Sequence, residues 1–414
     1  MRMTLARAAS WLTPKRLRVH GLLLALCLWS VYIWNMASPG LLDRAGNLKG
    51  TDFLHFYTLG SLALAHRGTD LYLYNMKAQS ALAAQRVPAA AGIHYLPLYP
   101  PQVSILFAPF SRLSYPWALI CWLTLSSLIY ALCGYALWRA CPNLRQYRFT
   151  VLILALAFPA FWHLIAWGQT SALALACFTL AFFALRAQRQ FLAGLAFGCL
   201  IFKPQLGVAA AVIFVDVRRW RVIAGALLSA SVQLAVAWMY YGPDSLRTWI
   251  QTLSRLPSLL RLLEPKLYQT HCLRTFWTML VRWPHLALAL YIVTALLVLA
   301  LAARCWQSAL SLPLRFSALL LATVLVAPHL TVYDLVILAP AFLLLSNWIA
   351  IESGDATTPQ LKLLLYLAYA LPLLGPLARW THLQLTVPVM LAIVYVVFQL
   401  GEGSKQSGDN IGER

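Results

Sequence analysis

Charged side chains are scarce in this sequence. Asp, Glu, Lys and Arg together make up 11% of its 414 residues, whereas hydrophobic residues make up 61%. Apolar runs of about 20 residues, long enough to cross a bilayer as a helix, recur along nearly the whole chain. The composition therefore excludes a soluble multidomain protein and predicts an all-α fold, that of a polytopic integral membrane protein.

Acidic residues are rarer still, and paired cysteines are missing. The chain holds 12 acidic residues against 32 basic ones, which gives a net charge of +20. In a membrane protein such an excess collects in cytoplasmic loops by the positive-inside rule, so no nucleic-acid partner is predicted. The eight cysteines are dispersed without Cys-x-x-Cys spacing, which argues against a zinc site and a disulfide framework.

The basic flanks of the apolar runs predict a membrane topology. The first run, 19–36, follows a basic segment, so this helix is expected to enter from the cytoplasm and to remain uncleaved. The later runs raise the total to about 11 to 12 membrane segments, with both termini cytoplasmic. We expect one transmembrane domain, 1–402, with two large outer loops at 37–115 and 242–283. A disordered cytoplasmic tail is expected at 403–414.

The apolar run 191–215 is unusual because basic residues flank both of its ends. Lys203-Pro204 interrupts it near the middle, and each half holds only about a dozen residues, roughly 18 Å of helix. We predict a short helical hairpin with Lys203 and Pro204 at a tip that faces a cavity on the far side. The alternative is one long helix with a basic flank on the wrong side of the membrane.

An aspartate, Asp52, follows the first membrane run in the segment Gly-Thr-Asp-Phe. An acid so close to a span is costly unless it has a function. A carboxylate can accept the proton of a hydroxyl that attacks a sugar carbon, and a single base with in-line displacement inverts the sugar configuration. Asp52 is therefore the candidate general base. The alternative is that Asp52 caps a helix beginning at Phe53.

The predicted topology brings further polar residues to the same side as Asp52. A phosphate leaving group needs cations and hydrogen-bond donors, which lysine, histidine and the arginines of the second outer loop can supply. Asp334, at the start of a helix, is interpreted as a cap or as the partner of a cation. The candidate residues for binding the donor phosphate or sugar are Lys203, His329, Gln169, Tyr57, His55, Tyr99 and Arg274.

Several loose motifs occur in a specific order. They are Asp-Phe-x-x-x-Tyr and Gly-x-Asp-Leu-Tyr within 52–72, Tyr-Pro-Pro at 99–101, Gly-Gln at 168–169, and Lys-Pro at 203–204 before Arg-Arg-Trp-Arg at 218–221. In this combination the chain resembles glycosyltransferase family 87 of the GT-C superfamily, from about Leu24 to His329. The segment around His329, Ala-Pro-His-Leu, departs from the family's Ser-Pro-x-Ser-Trp-x-His.

The resemblance implies a GT-C-type helical fold in a bacterial cytoplasmic (inner) membrane, with the active site at the extracytoplasmic boundary. It also implies a polyprenyl-monophosphate donor, often of mannose, a lipid or glycan acceptor, an aspartate of the first outer loop as base, and no metal or other cofactor. A transporter or flippase of a lipid-linked or anionic solute is the alternative, because broken helices and a basic cavity also suit transport. Inverted repeats would favour transport, but the sequence has no corresponding pair of interrupted segments.

Overall fold

The computed structural model describes residues 7, 9–72, 76–255, 258, 266–352 and 357–412, without the side chains of 76–78 and 403–412. These residues form helices and loops, and their only β-type pairings are two isolated bridges, Leu42–Leu48 and Thr270–Thr331. The predicted all-α fold is therefore confirmed.

Long helices alternate with short ones along the chain. In chain order, the α-helices are α1 Pro14–Met36, α2 Thr51–Leu64, α3 Met76–Arg86, α4 Gln102–Phe107, α5 Tyr115–Arg139, α6 Arg148–Leu156, α7 Pro159–Trp167, α8 Ser171–Arg186, α9 Gln190–Gly198, α10 Val208–Asp216, α11 Trp220–Tyr241, α12 Pro243–Ser254, α13 Leu273–Leu280, α14 Pro284–Gln307, α15 Leu312–Val326, α16 Ala339–Ile351, α17 Thr358–Ala370, α18 Gly375–Thr381 and α19 Thr386–Gly412. The last helix includes 403–412, for which disorder was predicted.

Six helical segments of the described chain are long and apolar enough to cross a membrane. They are Pro14–Met36, Tyr115–Arg139, Trp220–Tyr241, Pro284–Gln307, Val332–Ile351 and Thr358–Thr381. Segments Pro142–Leu156, which includes α6, and Pro159–Trp167, which is α7, form a seventh if their 42° bend lies within one span. The bend occurs at Pro159, which cannot continue the hydrogen-bond ladder of α6. The predicted total of 11 to 12 would require the shorter apolar helices to cross as well, and it is not confirmed.

The chain reverses direction at Lys203. Two segments of 3₁₀ helix, Cys199–Phe202 and Pro204–Leu206, separate α9 from α10. The rings of Phe197 and Phe214 lie 5.4 Å apart, whereas a continuous helix would separate them by about 25 Å. The predicted hairpin is thus present, and the alternative of one long helix is wrong. Lys203, at the tip, is one of the candidate site residues.

Glycines allow the first half of the hairpin to pack closely against α11. A Cβ atom at Gly194 would lie 2.1 Å from the carbonyl oxygen of Val222, and one at Gly225 would lie 2.2 Å from that of Phe191. Small residues permit such close backbone approach between helices in a membrane, where packing rather than the hydrophobic effect drives association. This contact fixes the hairpin, and therefore Lys203, against the bundle.

The two predicted outer loops contain helices that pack on each other. The first holds α2, α3 and α4, and the second holds α12 and α13. The indole N–H of Trp249 in α12 donates to the carbonyl oxygen of Leu98, 3.1 Å away, and joins the loops. Helix α2 also contacts α5 and α7 of the bundle. The loops therefore cover one end of the bundle, and α2 carries Asp52 to its edge.

Candidate active site

Helix α2 begins at Thr51, one residue before Asp52. Its N-cap is Gly50, which has a φ of +65° and lies so close to Leu119 that a Cβ atom would be 2.4 Å from a methyl carbon. Only glycine suits both the left-handed conformation and the contact. No side chain caps the helix, so the alternative that Asp52 is a cap is wrong. Asp52 as a whole residue is partly exposed, and its carboxylate is not used in a cap.

Gln169 is the hydrogen-bond partner of Asp52. Helix α7 ends at Trp167, and its C-cap Gly168 turns the chain with a φ of +72°. A Cβ atom at Gly168 would lie 2.7 Å from the Cβ of Phe53. The turn therefore sits directly against the start of α2. The side-chain amide of Gln169 donates to Oδ2 of Asp52 at 2.7 Å. The sequence prediction that these two residues meet is consistent with this geometry.

Aromatic residues of α5 hold both halves of this contact. The Trp122 indole N–H donates to the carbonyl oxygen of Gly168 at 3.0 Å. The Tyr115 hydroxyl lies 2.8 and 2.9 Å from the carbonyl oxygens of Lys49 and Gly50. Phe53, which is fully buried, stacks on Trp122 with a centroid distance of 6.3 Å. Helix α5 thus aligns the start of α2 with the turn before Gln169.

The environment of Asp52 suits a base that works near neutral pH. Burial raises the pKa of Asp52 to about 6, while the hydrogen bond from Gln169 and the positive charge of Lys203 oppose that rise. Of the two carboxylate oxygens of Asp52, only Oδ2 has a hydrogen-bond partner among the described residues. Oδ1 is left to accept a hydrogen bond from another group, and a base with a pKa near the working pH is efficient.

Lys203 lies in a second, closed cluster. Its side chain is almost fully buried, and Nζ donates to Oδ1 of Asp334 at 2.7 Å and to Oγ of Ser171 at 3.1 Å. The ammonium also lies 5.2 Å from the ring centroid of Tyr333. Oδ2 of Asp334 accepts from the backbone N–H of Thr331 in a capping box. The interpretation of Asp334 as the partner of a cation is therefore confirmed. The N-cap itself is Thr331, and Asp334 completes the capping box as its third helical residue.

His55, three residues after Asp52 on α2, packs against Tyr99. Their ring centroids are 5.7 Å apart. The hydroxyl of Tyr99 is within electrostatic range of Asp52 and Lys203. His55 is 5% exposed, packs 5.0 Å from Tyr95, and has no hydrogen-bond partner for Nε2 in the described chain. Burial lowers the pKa of His55 to about 4, so its ring is neutral near pH 7.

Arg274 and His329 come together through the backbone. The guanidinium Nε of Arg274 donates to the carbonyl oxygen of Pro328, the residue before His329. The Thr270–Thr331 bridge holds the two segments side by side. A further cation, Lys266, precedes the bridge and is within electrostatic range of Asp52. This edge of the site carries the more exposed cations.

The sequence model of glycosyltransferase family 87 matches residues 98–328. This range is more than half of the chain and includes Gln169, Lys203 and Arg274. The chain belongs to glycosyltransferase family 87. No curated protein and no solved structure matches it. The match begins after Asp52 and ends just before His329, so it says nothing of these two residues.

Tyr57 lies on a different face of α2 from Asp52, so the structure does not bring it to that carboxylate in this glycosyltransferase. It lies five residues along α2, about 140° around the helix. Its hydroxyl donates to the carbonyl oxygen of Leu113 at 2.8 Å and accepts from Arg86 at 2.9 Å. Tyr57 therefore links α2 to the end of the first outer loop.

Sequence reasoning missed several residues that shape the glycosyltransferase site. Tyr95 donates to the carbonyl oxygen of Thr51, and Ser171 bridges Lys203 to Asp334. Ser171 follows the Gly-Gln pair by two residues, which is the only signal that could have indicated it. The pairing of Lys203 with Asp334 spans 131 residues, and no local pattern predicts it.

Proposed function

We propose that this glycosyltransferase moves a hexose, with mannose as the first choice, from a polyprenyl-monophosphate donor to a lipid or glycan acceptor. Asp52 takes the proton of the acceptor hydroxyl as the hydroxyl oxygen forms a bond to the anomeric carbon. The bond from that carbon to the phosphate oxygen breaks, and polyprenyl phosphate leaves with the electron pair. One displacement inverts the sugar configuration.

The observation that carries the proposal is the arrangement around Asp52. One oxygen of its carboxylate is oriented by Gln169 at 2.7 Å, and the other is unpartnered within the described chain. Burial raises its pKa to about 6, close to the pH at which a base must be ionised yet able to hold a proton. A residue with a purely structural role would be expected to use both oxygens.

The second carboxylate of the site supports a single displacement. Asp334 is 3% exposed and lies in an ion pair with Lys203 at 2.7 Å. A retaining reaction needs a second carboxylate that is free to attack the anomeric carbon. Asp334 does not meet that need, because its removal from the ion pair would leave a buried lysine uncompensated.

Arg274, His329 and Lys266 are the groups we assign to the donor phosphate. Lys203, the sequence candidate for this role, already shares its charge with Asp334. The group of Asp52, Lys203 and Asp334 therefore carries a net negative charge, which repels a phosphate. The exposed edge at Lys266 and Arg274 carries positive charge instead, and arginine matches phosphate oxygens geometrically.

The location of the reaction follows from the first span. Basic residues precede α1, which favours a cytoplasmic start, and α2 follows α1 at its other end. We therefore place Asp52 at the extracytoplasmic boundary of a bacterial inner membrane. There a lipid-linked donor can reach the site from the bilayer without a nucleotide sugar.

The test is sugar transfer in membranes supplied with radiolabelled polyprenyl-phosphate mannose. Asp52→Asn, which keeps the shape and the Gln169 contact, should lower product at least a hundredfold at equal protein level, because general-base catalysis contributes about 10²- to 10⁴-fold. Asp244→Asn is the matched control, since this exposed outer aspartate pairs with Arg247 at the surface. Equal product from wild type and Asp52→Asn would remove Asp52 from the mechanism. No covalent product from the wild type would refute this donor.

A further inference from the structure

Beside Asp52, a row of aromatic rings extends along α7. The ring of His163 lies 5.8 Å from that of Trp167, one turn later, and Trp167 lies 5.6 Å from Tyr333. Tyr333 in turn faces the ammonium of Lys203. His163 and Trp167 are partly exposed. The turn that carries Gln169 to Asp52 begins directly after Trp167, so the row lies next to the residue that holds the Asp52 carboxylate.

A second histidine, His271 of the second outer loop, approaches this row. The backbone N–H of His271 donates to the carbonyl oxygen of Leu330 at 2.9 Å, next to the Thr270–Thr331 bridge. Its ring is fully buried, and Nδ1 lies 2.8 Å from the hydroxyl of Thr386. It is close enough to His163 for the charge of either ring to disfavour that of the other.

Both histidines have a buried ring nitrogen without a protein partner in the described chain. The atoms are Nδ1 of His163 and Nε2 of His271. A buried polar atom without a hydrogen bond costs about 1–3 kcal/mol, so native proteins rarely retain one without a reason. Burial lowers the pKa of His271 to about 3, and the proximity of His163 acts in the same direction. A neutral ring offers one donor and one acceptor, which suits hydroxyl groups better than phosphates.

We propose that His163, Trp167 and His271 form a glycosyl-binding subsite, in which a pyranose ring packs on Trp167 and its hydroxyls pair with the two free ring nitrogens. The combination of an apolar aromatic face with a few neutral polar atoms is what a sugar requires of a binding site. This subsite rests on the proposed function, because the sugar belongs to the donor or to the acceptor of that reaction.

The two histidines allow a test with mirrored substitutions. An asparagine amide reaches roughly where Nδ1 lies, whereas a glutamine amide reaches roughly where Nε2 lies. His271→Asn therefore keeps the Thr386 contact and removes the free nitrogen, and His271→Gln does the reverse. At His163 the free atom is Nδ1, so His163→Asn keeps it and His163→Gln removes it. Trp167→Phe keeps an aromatic face that Trp167→Ala lacks.

The measurement is the KM of each variant in the transfer assay. Polyprenyl-phosphate mannose is titrated at fixed acceptor, and a lipid extract of the native membranes is then titrated as acceptor at fixed donor. His271→Asn and His163→Gln should raise one of the two KM values about 3- to 10-fold, the loss of one neutral hydrogen bond, with kcat less affected. Trp167→Ala should raise the same KM at least as much. The substrate whose KM rises identifies whose sugar is bound.

The opposite order would overturn the subsite. If the Thr386 contact alone matters, His271→Gln loses activity and thermal stability while His271→Asn resembles the wild type. Equal KM values for all variants at unchanged stability would also overturn it, and would leave ordered water as the partner of these nitrogens. A wild type without transferase activity refutes the proposed function itself, which distinguishes that failure from failure of the subsite alone.

Discussion

Asp52 and Asp334 are two carboxylates of one site in opposite environments. Asp334 is 3% exposed, and Lys203 together with the backbone N–H of Thr331 occupies both of its oxygens. Asp52 is partly exposed and, among the residues that the structure describes, has a partner on one oxygen only. The residue type is the same, so the difference lies in hydrogen bonding and charge. The saturated acid, Asp334, is therefore suited to maintaining the fold, and the half-satisfied acid, Asp52, is suited to chemistry.

The largest expected effect comes from breaking the saturated pair. Asp334→Asn keeps the cap geometry but leaves the buried charge of Lys203 without its anion, which should cost about 3–5 kcal/mol of stability. Thermal unfolding in detergent should show a clearly lowered Tm. The double variant Lys203→Met, Asp334→Asn should recover much of the loss, because no unpaired charge remains. A double variant less stable than Asp334→Asn would contradict this role.

A smaller effect is expected at the turn that brings Gln169 to Asp52. Gly168→Ala places a side chain at a φ of +72° and 2.7 Å from the Cβ of Phe53. The left-handed conformation alone costs about 1–2 kcal/mol, and the clash shifts Gln169 from the carboxylate. Transfer should fall more than about tenfold, since small misplacements reduce rates strongly. Gly46→Ala is the control, because Gly46 has a φ of +80° with nothing within 4 Å. A similar fall in both variants would show strain rather than positioning.

The smallest effect has the opposite sign from that at Asp334. Burial raises the pKa of Asp52 to about 6, so at pH 7 the folded state pays for an ionised carboxylate that the unfolded chain accommodates more easily. This penalty is present above pH 6 and fades as the pH falls and the group protonates. Asp52→Asn should therefore raise the Tm slightly at pH 7, while the same exchange at Asp334 lowers it. A lowered Tm in both variants would end the contrast between the two acids.

Much of this site was predictable where local patterns carry the information. The basic flanks around 191–215 indicated the hairpin, and the ordered motifs indicated Asp52 and Gln169 as members of one site. The role of Tyr57 was not readable, because its helix is buried nearly all round and hydrophobicity does not mark the face that carries Asp52. The count of membrane spans stays a prediction, since several apolar helices are only 13 to 16 residues long.

Contacts between distant segments were beyond local patterns. Lys203 pairs with Asp334, which lies 131 residues away on the segment before α16. His163 likewise lies in α7 and His271 in the second outer loop, and only the tertiary structure brings them together. Gly168 is an instructive exception. A glycine before a glutamine suggests a turn, but only the contact with Phe53 explains why the turn must be so close.

The pH dependence of sugar transfer tests the role of Asp52 as the base most directly. Only the ionised form of Asp52 accepts a proton, and the phosphodiester of the donor does not titrate near neutrality. The account predicts that kcat/KM is constant above pH 7 and falls about tenfold per pH unit below a pKa of about 6. Gln169→Met should move this fall to higher pH, because the Gln169 hydrogen bond stabilises the ionised carboxylate. A profile that stays flat from pH 7.5 to 5 in the folded wild-type enzyme would contradict Asp52 as the base.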